Sequence, residues 1–212
     1  VLHVTLAALA AATTAVATAQ LYRGARPAPV AWRDYVALTK PRIMSLLLLT
    51  GAAGMFVGAQ GLPDPALFLA MLVGLALACG GASALNHVLD RDIDRSMKRT
   101  SSRPVADGRV SPELALEFGL ALSALSFVLL ASAVNVLTAC LALVGGLFYV
   151  LVYTLWLKRS TPQNIVIGGA AGAVPVLVGW AAVTGGLAWA PFVLFVAIFL
   201  WTPPHFWALA IR

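Results

Sequence analysis

The chain has 212 residues, of which 61% are hydrophobic and only 10% charged, against roughly 25% charged in soluble domains. Its mean hydropathy is +0.92. These values exclude a soluble globular domain, and the net charge of +6 calls for no nucleic-acid partner, because it follows from where the basic loops fall.

In chain order, Val1–Leu21 is an apolar stretch rich in Ala and Thr that also holds His3. It reads as an extra span, part of one, or the tail of a preceding domain. The segment Tyr22–Arg42 is a basic, Pro-containing connector with Arg26-Pro27-Ala28-Pro29 as its breaker. An interfacial stretch holding Trp32 and Tyr35 then leads into the first span. We divide the chain at 1–32 and 33–212.

Uncharged runs cover 43–63, 65–89, 118–157 and 160–211. A crossing needs about 20 residues, so the first two runs hold one span each and the last two hold two each. Ser132–Asn135 and Thr184-Gly185-Gly186 are the least helical dividing points. The predicted spans lie near 43–60, 66–89, 114–132, 136–157, 163–182 and 190–210. The expected fold is all-α, a polytopic transmembrane helical bundle.

All 14 basic residues fall before span 1, between spans 2 and 3, between 4 and 5, or after 6. The intervening loops carry none. The positive-inside rule puts the basic loops on the cytoplasmic side of a bacterial-type inner membrane. Cys79 and Cys140 lie inside predicted spans without a CxxC pattern and read as buried small hydrophobes. Ile167–Ala173, IGGAAGA, is small enough to line either a tight helix contact or a ligand wall. In the long loop Arg91–Glu113, Asp107-Gly108 reads as a turn, and Ser111-Pro112 reads as the N-cap and first residue of a helix.

The most informative residues sit where span 2 meets that loop. Asn86, Asp90 and Asp94 are spaced i, i+4, i+8, which stacks them within about 80° of arc on one helical face. Hard oxygen ligands of this kind suit Mg²⁺, which takes few carboxylates and completes its shell with water and phosphate oxygens. Asp92 points about 160° away from Asp94 and is expected to be solvated or paired with a neighbouring arginine. Arg91, Arg95, Lys98, Arg99 and Arg103 surround the ladder. Cations beside metal-binding carboxylates fit a diphosphate ligand, whose departure from an allylic carbon they would stabilise.

Three blocks carry a resemblance to a known family. They are NHVLDRDIDRSMKRTSSRPVADGRVSP from Asn86, YTLWLKRSTPQNIVIGGAAGAVPVLVGWAAVTG from Tyr153, and WTPPHFWALAI from Trp201. With Leu38-Thr39-Lys40-Pro41-Arg42 they resemble the UbiA-type intramembrane prenyltransferases over residues 33–212. Within that family they are similar to the branch that farnesylates haem. The resemblance implies a bundle of nine helices, of which six to seven are present, and Mg²⁺ held by Asn86, Asp90 and Asp94. It implies diphosphate contacts from Arg42, Lys98, Arg103 and Lys158. The implied substrates are farnesyl diphosphate and haem b within the lipid bilayer, with haem A synthase as a candidate partner. His205 and His87 are the candidate haem contacts. Trp156, Trp180, Trp201 and Trp207 suit either an interfacial belt or a porphyrin wall.

The second aspartate motif of that family is expected after span 6, and the sequence stops at Arg212, so we expect a piece of something longer. The alternatives are a prenyltransferase acting on a quinone precursor or another aromatic or tetrapyrrole acceptor, a cation-coupled transporter and a CDP-alcohol-type transferase. Acids at the rim speak against a carrier, whose sites lie near the midplane. Arg109-Val110 after Asp107-Gly108 lacks the acids that the last needs.

Overall fold

A computed structural model describes residues 30–211. The apolar stretch Val1–Leu21, His3, the Arg26–Pro29 breaker and Arg212 lie outside the described residues. Among those described there is helix and no strand. The elements are α1 Trp32–Leu38, α2 Pro41–Ala59, α3 Pro65–Leu89, α4 Arg91–Ser96, α5 Pro112–Ala133 and α6 Val136–Leu147. A π-helix, Phe148–Leu157, follows, then α7 Lys158–Ser160, α8 Asn164–Thr184 and α9 Trp189–Ala210.

Six helices among the described residues are long and apolar enough to cross a membrane. They fall on the six predicted spans, and their ends carry the predicted punctuation. Ser111 Oγ accepts from the Leu114 amide at 3.2 Å, with Pro112 as first helical residue. Asn135 Oδ1 accepts from the Thr138 amide at 2.8 Å, and Gly185 ends α8 at φ 70°. Gly108, at φ 84°, makes the expected turn.

In lipid, helices gain little from apolar contact alone, so small residues and interhelical hydrogen bonds set their spacing. At the α2–α8 crossing, a Cβ on Gly179 would fall on the Gly51 carbonyl, and one on Gly54 would fall on the Val176 carbonyl. Backbone therefore meets backbone there. Met55, Met71, Leu75, Leu130 and Val178 form the buried core beside it. Polar ties cross between helices: Ser126 Oγ donates to the Gly74 carbonyl at 2.7 Å, and Asn135 Nδ2 donates to the Ala181 carbonyl at 2.9 Å.

A second cluster lies under the long loop, where Leu38, Ala84, Val105, Val110 and Ala115 are buried together. Arg109 ties the loop to α1 through an ion pair with buried Asp34. Pro203 and Pro204 do not end α9, which runs through both of them. Each lacks the N–H that would serve the carbonyl four residues earlier.

Candidate functional site: an acidic ladder at the mouth of an apolar cavity

Asn86 ends in the last turn of α3, and Asp90 marks the junction with α4. The ladder survives that junction, because the Asp90 amide still reaches the Asn86 carbonyl at 2.9 Å and the Asp94 amide reaches the Asp90 carbonyl at 2.8 Å. Asn86, Asp90 and Asp94 are 2%, 0% and 2% exposed. Carboxylates buried this deeply need partners.

Each rung has a cation, and the three come from different segments. Lys40 Nζ donates to Asn86 Oδ1 at 2.7 Å. Lys158 Nζ donates to Asp90 Oδ2 at 2.6 Å. Arg103 Nη1 donates to both oxygens of Asp94, at 2.8 and 2.7 Å. Asn86 Nδ2 donates to Asp90 Oδ2 at 2.7 Å and to Thr154 Oγ1 at 3.0 Å, which fixes the amide orientation.

Lys40 is the cation that the sequence reading missed. It occupies the left-handed region, at φ 51° and ψ 64°, directly before Pro41. That conformation is disfavoured before proline and costs on the order of 1–3 kcal/mol for a residue with a Cβ. Such strain in a half-buried residue beside the ladder was the signal, and it exists only in the folded backbone. Burial, followed by the neighbouring Arg103 guanidinium, pushes the Lys40 amine down to about 8.

The other proposed diphosphate contacts divide. Arg103 and Lys158 reach the ladder. Arg42, Lys98 and Arg99 are exposed, and of the three Arg99 also lines the cavity. Asp92 pairs with Arg159 at 2.8 Å through two nitrogens, and those bonds hold its carboxyl well below the usual carboxylate range. That arginine is 67 residues away, not a sequence neighbour.

Beside the ladder lies a partly open cavity of about 630 Å³ lined by α2, α3, α6, the π-helix, α8 and α9. Lys40 and Arg99 stand at its polar side, while Met44, Leu75 and Val178 line its apolar depth. The IGGAAGA stretch serves both of its expected uses. A Cβ on Gly169 would press on Thr202 at 2.9 Å, whereas one on Gly172 would enter open space in the cavity. Cys79 lines the cavity, and Cys140, contrary to its expected burial, is exposed on the outer surface.

The histidines lie elsewhere. His87 is 2% exposed, and neither ring nitrogen has a hydrogen-bond partner among the described residues. It lines a separate pocket of about 290 Å³ with Lys40, Arg103 and Arg109. His205 is exposed and stacks on Trp201, with ring centroids 6.0 Å apart. Trp156, Trp201 and Trp207 are exposed too.

The donor set fits a magnesium ion that takes part of its shell from a ligand. No group of three His, Cys, Asp or Glu residues among the described residues is close enough to hold a metal alone. The ladder offers two carboxylates and an amide oxygen, and Asp90 Oδ1 is buried without any partner among the described residues. An orphaned carboxylate oxygen is costly unless a cation meets it. Magnesium commonly binds through one or two carboxylates plus substrate phosphates.

A family model described as the UbiA prenyltransferase family matches residues 47–212. The chain is 63% identical over 179 residues to the protoheme IX farnesyltransferase of Symbiobacterium thermophilum, covering 84% of this chain and 60% of that protein. It is 60% identical over 179 residues to the Synechocystis protein of the same name, covering 84% of this chain and 57% of that one. A solved UbiA homologue from Archaeoglobus fulgidus, bound to DMAPP and Mg²⁺, shares the fold at TM-score 0.67 and 21% identity. That match covers 80% of this chain and 60% of the other. The chain thus spans about three-fifths of the length of the curated relatives it matches.

Proposed function

The chain belongs to the UbiA prenyltransferase family, and from that premise we propose that its protein transfers a farnesyl group from farnesyl diphosphate to a vinyl group of haem b. The observation that carries this reading is Asp90 Oδ1, buried and without a partner among the described residues, in a ladder whose three cations include Lys40, which also lines the apolar cavity. The acceptor rests on the names of the relatives. Prenyl transfer rests on the site.

Asn86, Asp90 and Asp94 would hold Mg²⁺, which would supply charge neutralisation to the diphosphate oxygens and to the departing anion. Lys40, Lys158 and Arg103 balance the ladder before substrate arrives and turn to the diphosphate when it does. Arg99 supplies charge from the cavity wall, and Arg42 and Lys98 add to the field at the rim. The isoprenoid tail lies in the cavity, where Met44, Leu75 and Val178 keep water from the allylic carbon. The C–O bond breaks with its electron pair leaving on diphosphate. The vinyl π pair then forms the new C–C bond, and water adds to the resulting cation with loss of a proton, leaving a hydroxyethylfarnesyl chain.

We assign this unit to residues 33–212, with 1–32 outside it. We place the basic loops and the ladder on the cytoplasmic side of a bacterial-type inner membrane, an orientation that their charge asymmetry supports. His87 and His205 remain the candidate haem contacts, and haem A synthase a candidate partner.

The test supplies membranes carrying the full-length protein with haem b, farnesyl diphosphate and Mg²⁺ and reads farnesylated, hydroxylated haem by mass. Asp90→Asn is expected to lower the rate by at least about 100-fold. Product at the normal rate would remove the metal role.

A further inference from the structure

The π-helix Phe148–Leu157 is ten residues long, whereas π-helices are rare and mostly single-turn bulges at functional sites. Its effect is to bring Tyr149, Tyr153, Thr154 and Lys158 to one side. On an α-helix at about 100° per residue, Lys158 would lie about 180° from Tyr149 and Thr154 about 140° from it. The wider i→i+5 winding removes that divergence. Thr154 Oγ1 then donates to the Tyr149 carbonyl at 2.9 Å and accepts from Asn86 Nδ2 at 3.0 Å. Lys158 reaches Asp90 at 2.6 Å.

The two tyrosine rings stack, with centroids 5.6 Å apart and planes 20° apart, and both line the cavity. Tyr153 is backed by Gly168, where a Cβ would overlap the ring edge. The pair is therefore wedged at the junction of the ladder with the apolar depth. A diphosphate on the ladder has its allylic carbon one bond from the phosphate oxygen. With the tail in the cavity, that carbon has to pass this junction.

We infer that the stacked rings of Tyr149 and Tyr153 are the face against which the allylic carbocation forms. The inference rests on the prenyl-transfer reading and adds catalytic residues to it. As the C–O bond breaks, the electron pair leaves on diphosphate and the positive charge left on the allylic carbons meets the negative faces of the rings. The rings give up no electrons. The charge passes on when the acceptor's π pair forms the C–C bond. A desolvated cation–π contact is worth about 30-fold in rate for one ring.

The experiment places Phe, then mono-, di- and trifluorophenylalanine, at each position of the full-length protein. It measures single-turnover diphosphate release and the affinity for farnesyl thiolodiphosphate, which binds without ionising. Fluorine drains the ring face with little change in size. With the Phe variant at each position as the reference, the rate is expected to fall stepwise with fluorine count toward the level of Tyr153→Leu, while affinity holds. A flat fluorine series, or rate and affinity falling together, would make the pair a packing feature and overturn the inference. Diphosphate release with a stepwise series but no farnesylated haem would remove haem as acceptor and leave the inference standing. No release from the unsubstituted protein would overturn both readings.

Discussion

The α2–α8 crossing and the acidic ladder join neighbouring parts of one bundle by opposite means. At the crossing Gly51, Gly54 and Gly179 let two backbones touch, with no charge and no choice of partner. At the ladder Asn86, Asp90 and Asp94 are held by cations 46, 68 and 9 residues away, each from a different segment. Shape holds the first region, so any added atom is felt as strain. Charge holds the second, so a removed atom leaves a buried group unpaired. In this chain, stability and chemistry are sited where those two costs differ.

The largest effect expected from this contrast is at the crossing. Gly179→Leu drives a side chain into the Gly51 carbonyl, and overpacking typically costs 1–3 kcal/mol or more where backbone has to move. We expect loss of monodisperse protein in detergent, read by size exclusion and thermal inactivation. A normally folded variant would show that the helices separate easily and would break the comparison.

Lys40→Met comes next. It leaves the protein folded but removes one charge-assisted contact, worth about 1.5–3 kcal/mol. Affinity for a prenyl thiolodiphosphate should fall about 10- to 100-fold by titration calorimetry. Unchanged affinity with a lowered melting temperature would make Lys40 a structural counterion only.

The smallest effect belongs to the exposed ion pair beside the ladder. Asp92→Asn should cost about 0.2–1 kcal/mol, and less at high salt. Arg159 depresses the Asp92 carboxyl in the folded state, so its contribution is present above the unfolded carboxyl value of about 4. It is lost as pH falls through the lower folded value. The melting difference between the two proteins should therefore shrink below about pH 4. A difference that grows with acid would reverse the assignment.

The sequence by itself determined what depends on neighbours along the chain. Hydropathy runs located six spans, because crossing a bilayer is a requirement on consecutive residues. The Ser111 cap, the Gly108 turn and the helix breaks at Ser132–Asn135 and Thr184-Gly185-Gly186 were legible for the same reason. The i, i+4, i+8 spacing put Asn86, Asp90 and Asp94 on one face, and burial of all three agrees with it. Tertiary structure decided which cations meet that face. The left-handed backbone at Lys40 turns that lysine inward, and Arg42 stays exposed. The loop turns Arg99 to the cavity and leaves Lys98 in solvent, and the π-helix carries Lys158 and both tyrosines to one side. It also paired Asp92 with Arg159, ran α9 through two prolines and left His205 on an outer surface. Long cationic side chains have no sequence period that reveals their partner. Their pairing follows from helix rotation, crossing distance and backbone strain, and these arise only when the helices have packed.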